Sequence, residues 1–285
     1  MVLIDTSQLI LSEATVEFTY HPERYSEESL QKLVIKKLAN ISKQYRKSFG
    51  ELVLCVDCPY KTWRHEFFEH YKYTRKVHKE TMNFDWDTYF VYYNHILETF
   101  KDILPIRIIK SQKAEGDDVI AVLTKHFHNR ENILIWSSDR DFVQLQKYNN
   151  VSQYSYQLKG LLKTDDPVLY LNEKIVQGDK GDGIPNCLTD SNVFVNGERQ
   201  KRITDKIRFC LLENGKPPEH NAPDRVILEN IERNRTLIDF DCIPEDIDKM
   251  IIECYNSYTP PKKVKLQKFM MSNKMMDMIN LIKLF

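Results

Sequence analysis

The chain has 285 residues, enough to bury one large core or a core with a smaller lobe. Lys plus Arg and Asp plus Glu both number 41, so net charge excludes no partner and only its distribution informs. No apolar run is long enough to span a bilayer and no signal peptide precedes the first strand; a membrane-spanning role is excluded and a reducing cytoplasm is the expected compartment.

In chain order, V-L-I at 2–4 runs into Asp5 and reads as a first strand. L-x-x-L-V-I-K-K-L at 30–38 has helical spacing. Residues 52–57 form a second strand ending at Asp57. A basic, aromatic stretch follows at 61–80, then an amphipathic helix near 86–102 and a short strand at 106–109. Residues 115–128 read as a helix with its acids in the first turn. I-L-I-W at 133–136 is a central strand and 151–156 another. From about 172 the pattern turns helical and more polar. The tail beyond Pro260 and Pro261 reads as one or two short amphipathic segments. Alternating strands and helices predict an α/β fold with a mainly parallel sheet.

Acids recur where this fold would bring them together. Asp5, Asp57 and Asp139, with Asp141 two further on, follow apolar strands. E-G-D-D supplies Glu115, Asp117 and Asp118, and G-D-K-G-D supplies Asp179 and Asp182. Ligands of parallel sheets bind beyond the carboxyl ends of the strands. Singly, each acid has an ordinary explanation: a turn, a helix N-terminus, a cap or a Gly-rich loop. Together they predict a carboxylate nest that needs hard divalent cations, Mg²⁺ above all where phosphates complete the shell. Two such ions can bridge a scissile phosphate, one activating water and the other stabilising the leaving oxygen. No P-loop, dinucleotide fingerprint, Ser–His–Asp or Cys–His arrangement competes.

Residues 61–80 carry six Lys or Arg against three Glu, with aromatics interleaved. Arg64, Lys72 and Arg75 would lie near one face of a helix there, placed to hold a phosphate. Tyr71, Phe67 and Phe68 read either as base-stacking platforms or as core, and for Phe67 the two readings balance. Cys55 and Cys58 form a C-x-x-C, but no second pair has zinc spacing. With Cys187, Cys210, Cys242 and Cys254 they read as reduced cysteines in or near the core.

T-W-R-H-E-F-F-E-H-Y-K-Y-T-R after D-C-P, then A-E-G-D-D-V-I-A, S-S-D-R-D-F-x-Q-L and G-D-K-G-D-G-I-P-N resemble, in order and spacing, the blocks of the flap endonuclease and 5′-3′ exonuclease superfamily. I-D-F-D-C-I-P and Y-N-S-Y-T-P-P are most similar to the T-even bacteriophage ribonuclease H family within it. The resemblance covers nearly the whole chain. It implies a PIN-like core over 1–171 with an arch at about 60–85, and a helical DNA-binding lobe over 172–285. It implies a 5′-nuclease that removes RNA primers and 5′ flaps from duplex DNA during phage replication in the infected host. It also implies two Mg²⁺ ions, with Mn²⁺ able to replace them. Asp5, Asp57, Glu115, Asp117 and Asp139 match the acids of the first metal, with Asp118 beside them. Asp141, Asp179 and Asp182 match those of the second. Lys72 and Arg75, with Arg64 nearby, match the arch residues that touch the reacting phosphate.

After Asn186 the family's second Gly-rich turn is not recognisable, which argues against a bound K⁺. Arg199, Lys201, Arg202 and Lys206 read either as backbone-phosphate contacts or as exposed helix charges. The Met-rich tail (Met270, Met271, Met275, Met276, Met278) reads as core, or as a docking surface for a single-strand-binding protein or sliding clamp. A monomer is expected. A catalytically silent nucleic-acid binder is the competing class, and the complete acid set argues against it. A phosphotransferase using Asp5 as nucleophile would need an acid where Ser7 stands.

Overall fold

The computed structural model describes residues 1–75, 84–214 and 224–285. Part of the expected arch, 76–83, therefore lies outside the described residues. Six strands form one sheet: β1 (Val2–Asp5), β2 (Leu52–Val56), β3 (Arg107–Lys110), β4 (Ile133–Trp136), β5 (Val151–Ser155) and β6 (Gly160–Leu162). Their order is β3-β2-β1-β4-β5-β6, with β1 to β5 parallel and only β6 antiparallel. The first strand is central, flanked by β2 and β4, so the chain order reverses beside β1. Such a switch point opens a crevice beyond the strands' carboxyl ends.

Alternate residues of β1 feed two cores, as strand periodicity requires. Val2 and Ile4 face α1 (Thr6–Tyr20), α2 (Glu27–Phe49) and α4 (Trp86–Ile103). Met1 and Leu3 face α5 (Gly116–Phe127) and α9 (Glu245–Ser257). Helix α1, which sequence periodicity misses, starts where Asp5 caps it by accepting from the Gln8 amide at 3.0 Å. The acid that ends β1 thus also turns the chain.

The tail folds as α10 (Lys263–Ser272) and a 3-10 segment, Met276–Leu284. Met270, Met275, Met278 and Phe285 are buried in the first core, while Met271 and Met276 remain exposed. Ser42 and Arg46 of α2 hold the carbonyls of Leu284 and Phe285.

Helices α6 (Pro167–Gln177) and α8 (Asp224–Ile238) join the C-terminal half to the core. The division expected at 171/172 falls inside α6. Leu171, Ile175, Leu237 and Ile238 pack on Phe68 and Tyr71. Beside them α7 (Asp205–Asn214) packs through Leu211 on Val176, Cys187 and Ile227. Among the described residues all six cysteines are free and no helix is long and apolar enough to cross a membrane.

Candidate active site

The acids gather at the switch point. Asp5 ends β1, Asp57 follows β2, Glu115 and Asp117 open α5, and Asp139 follows β4. Backbone and hydroxyl donors aim them. Asp57 Oδ1 accepts from the Gly116 amide at 2.7 Å, and its other oxygen accepts from Ser7, which also touches Tyr93 OH at 3.0 Å. Ser137 Oγ donates to Asp5 at 2.9 Å and accepts from the Asp139 amide at 3.1 Å. Gly116 permits this closeness: an added Cβ would lie 3.1 Å from the Cys55 carbonyl and 3.2 Å from Asp57.

None of Asp5, Asp57, Asp117 and Asp139 forms an ion pair with a described residue. Burial, then the neighbouring Asp57 and Asp139 charges, pushes Asp5 up to about 7. Burial, then Asp5 and Asp139, drives Asp117 well above the usual carboxylate range, and burial also raises Asp139.

The outer acids are paired instead. Lys72 Nζ lies 2.7 Å from Glu115, and Arg75 Nη2 lies 2.5 Å from Asp182. Lys174 of α6 meets Asp141 and lies 2.9 Å from Asp179. Against the pull of burial, Lys72 and then Arg75 hold Asp182 down at about 2, and Lys72 then Arg64 hold Glu115 low. The cleft is lined by Arg64, Tyr71, Glu115, Asp117, Asp141, Asp179 and Asp182, with an apolar wall from Ile184, Leu237, Ile238 and Phe240.

A short helix, α3 (Trp63–Phe67), starts the basic stretch, but it ends before Lys72. The single helix expected to align Arg64, Lys72 and Arg75 does not form over the described residues. Lys72 adopts φ 58, a left-handed conformation that costs a residue with a Cβ about 1–2 kcal/mol. It is held there by Asp182, whose carbonyl accepts the Lys72 amide at 2.7 Å, and by Gly183 packed beneath. The turn at 179–184 thus aims Lys72.

Three expected roles are corrected. Arg64 borders the cleft but is only 2 % exposed, so the fold holds it inward rather than offering it to a polymer. Its Nη1 is 2.7 Å from Asp118 and 3.5 Å from Glu115, its Nε donates to Leu237 O at 2.9 Å, and its guanidinium lies over the Trp63 ring. Asp118 is fully buried and already accepts from Arg64, Trp63 Nε1 and the Glu115 amide, so it braces α5 rather than facing the cleft. Tyr71 is buried, and its hydroxyl lies 2.9 Å from Glu115 and 3.1 Å from Asp182; no ring face is free for a base. Phe68 is core, whereas Phe67 is 52 % exposed. Arg199, Lys201, Arg202 and Lys206 are all exposed, before and at the start of α7. Sequence reasoning missed Ser7, Ser137 and Lys174; Ser137 stands two residues before Asp139 and Lys174 five before Asp179, close enough to have been suspected.

Among the described residues no three His, Cys, Asp or Glu side chains already stand as a metal cage. The inner nest still fits a hard divalent ion: it is an all-oxygen donor set, buried, and short of positive charge.

A family model described as 5′-3′ exonuclease, N-terminal resolvase-like domain, matches residues 1–177, and one described as T4 RNase H, C terminal, matches 166–285. The chain is 32 % identical to the Ribonuclease H of Enterobacteria phage T4, over 99 % of this chain and 95 % of that one. A 5′-3′ exonuclease of Mycoplasmopsis pulmonis (strain UAB CTIP) is 28 % identical over 43 % of this chain and 41 % of its own. Two solved structures share the fold at 17 % identity: the bacteriophage T5 protein co-crystallised with metal ions, with a TM-score of 0.66 over 90 % of this chain and 98 % of that one, and the T5 flap endonuclease in a pseudo-enzyme–product complex with DNA and metal ions, with a TM-score of 0.65 over 90 % and 97 %. The fold and acid nest define a resolvase-like α/β nuclease core. This chain belongs to the 5′-3′ exonuclease family, in the branch that carries the T4 RNase H C-terminal region.

Proposed function

We propose that this chain is a divalent-metal-dependent 5′-nuclease acting on duplex DNA that carries a 5′ flap or an RNA primer, in phage replication within the infected host cell. The observation that supports it most is the division of charge: four inner carboxylates lack cationic partners, beside Lys72 and Arg75, whose charges face the same cleft. Asp5, Asp57, Asp117 and Asp139 would hold one Mg²⁺, joined by Glu115 once Lys72 turns to the phosphate, and Asp141, Asp179 and Asp182 would serve a second. When bound, the ions would polarise the scissile phosphate and activate water. Ser137 and the Gly116 amide fix the orientation of Asp5 and Asp57, so the nest keeps its shape before an ion arrives. Glu115 and Asp182 hold Lys72 and Arg75 over the cleft, ready to exchange a carboxylate for a phosphate oxygen. Arg199, Lys201, Arg202 and Lys206 contact the duplex backbone beyond.

The protein acts as a monomer. Its tail is mainly structural, so any docking of a single-strand-binding protein or clamp there falls to the face bearing Met271 and Met276. The test is cleavage of a 5′-labelled flap and of a nicked, RNA-primed duplex, in Mg²⁺ and in EDTA, beside Asp139→Asn. Short 5′ products that need Mg²⁺ and vanish in the variant, with DNA binding kept, are expected. Tight binding without cleavage by the wild type, in Mg²⁺ or Mn²⁺, would overturn the proposal.

A further inference from the structure

The inner and outer acids are neutralised in different ways. Asp5, Asp57, Asp117 and Asp139 form no ion pair with a described residue, although Lys174 acts on Asp139 through space, whereas Asp141 and Asp179 share the Lys174 ammonium directly. That side chain is 17 % exposed and projects from the last turn of α6, just before the chain turns at Gly178. Gly178 has φ 69, and an added Cβ would lie 2.4 Å from the Ile184 carbonyl, so the turn that delivers Asp179 to Lys174 is sterically fixed. Asp141 comes from elsewhere, the 3-10 segment Arg140–Lys147 after β4. The lysine therefore bridges two acids that the fold brings together from separate segments.

We infer that Lys174 is a built-in cation that occupies the Asp141–Asp179 pair and must withdraw before a divalent ion can bind there. This rests on the metal-dependent reading above and deepens it. An ammonium at 2.9 Å from a carboxylate uses the lone pairs an ion would need. A divalent ion and Lys174 thus exclude one another at that pair, whereas no described lysine is ion-paired to Asp5, Asp57, Asp117 or Asp139. The inner acids fill first. The outer pair fills only as Lys174 swings toward solvent, an outward path that its partial exposure leaves open. Lys174 thereby sets the concentration of divalent ion at which the second site loads, acting as a positioning residue rather than a catalytic one. A tethered competitor acts at an effective concentration in the millimolar range, so its removal should tighten the second ion by about tenfold or more.

The experiment is calorimetric titration of the DNA-free, full-length protein with Mn²⁺, with bound Mn²⁺ counted independently by electron paramagnetic resonance. Wild type is compared with Lys174→Met, Lys174→Gln, Lys174→Arg and the exposed control Arg140→Met, each checked for a cooperative melt. In Lys174→Met and Lys174→Gln the weaker ion should bind about tenfold more tightly, a much larger change than in the stronger ion, whose Asp139 feels Lys174 only through space. Lys174→Arg should bind no more tightly than wild type. An unmoved weaker site in both neutral variants overturns the inference, as does equal tightening in Arg140→Met, which would make the effect one of general field. Wild type that binds no Mn²⁺ at all overturns the metal-dependent reading itself, an outcome distinct from either of these.

Discussion

Arg64→Met separates a structural role for this arginine from a catalytic one. The guanidinium joins three parts of the fold: Trp63 of α3, Asp118 of α5 and the Leu237 carbonyl of α8. Removing it leaves a fully buried Asp118 without its cation, a change that costs about 3–5 kcal/mol where measured elsewhere. The Leu237 carbonyl loses a donor as well, which overlaps with that loss rather than adding fully to it. We expect a destabilisation of about 4 kcal/mol in denaturant unfolding, a large share of the stability of an ordinary domain. Asp118→Asn removes the stranded charge, so the double variant should recover at least about 2 kcal/mol relative to the sum of the singles. Cleavage by the folded fraction of Arg64→Met should survive. A variant with stability within about 0.5 kcal/mol of wild type and no cleavage would refute this reasoning and return Arg64 to the phosphate.

Metal-free protein should lose stability as pH rises. Asp5, pushed up to about 7, and the raised Asp117 and Asp139 bind protons in the native state that the unfolded chain has already released, so stability falls between about pH 4 and pH 7. Glu115 and Asp182 work the other way, but only as pH drops through their own depressed values. Melts in EDTA at pH 5 and pH 8 should show the higher Tm at pH 5, with Mg²⁺ raising Tm more at pH 8; a higher Tm at pH 8 in EDTA would contradict the bare nest. Gly183→Ala, at φ 70 with a Cβ 2.8 Å from the His70 carbonyl, should cost about 1–3 kcal/mol and displace Lys72, seen as slower single-turnover cleavage than the stability loss explains. Lys72→Ala should slow single-turnover cleavage more than it weakens DNA binding, and the reverse split would leave Lys72 only a positioning role.

Much of this was legible in the chain. Apolar runs buried on both faces announce the parallel strands, and an acid directly after each of V-L-I, L-V-L-C-V and I-L-I-W-S-S places it at the ligand-binding edge. Helix α1 escaped because its apolar positions follow no strong helical stripe, with Thr15, Val16 and Thr19 pulling toward strand. Strand β6 is three residues long, too short for a period to show. The division of labour between Asp117 and Asp118 was readable in principle, since consecutive helical residues point about 100° apart and cannot both face one cleft. The turn at Lys72 was not, because no Gly or Asn marks its left-handed backbone; the cause lies over a hundred residues away, in the carbonyl of Asp182.

That long-range contact explains why the site needs the C-terminal half of the chain. The nest is built on the sheet, but its cations are aimed by the segment 174–184: Lys174 by α6, Lys72 through the Asp182 carbonyl, Arg75 through the Asp182 carboxylate. Arg64 then ties α8 back to α5, directly beneath the same acids. A change in how α6 and α8 sit on the sheet therefore shifts three cations relative to a fixed set of carboxylates. The exposed basic residues Arg199, Lys201, Arg202 and Lys206 lie on this same half of the chain.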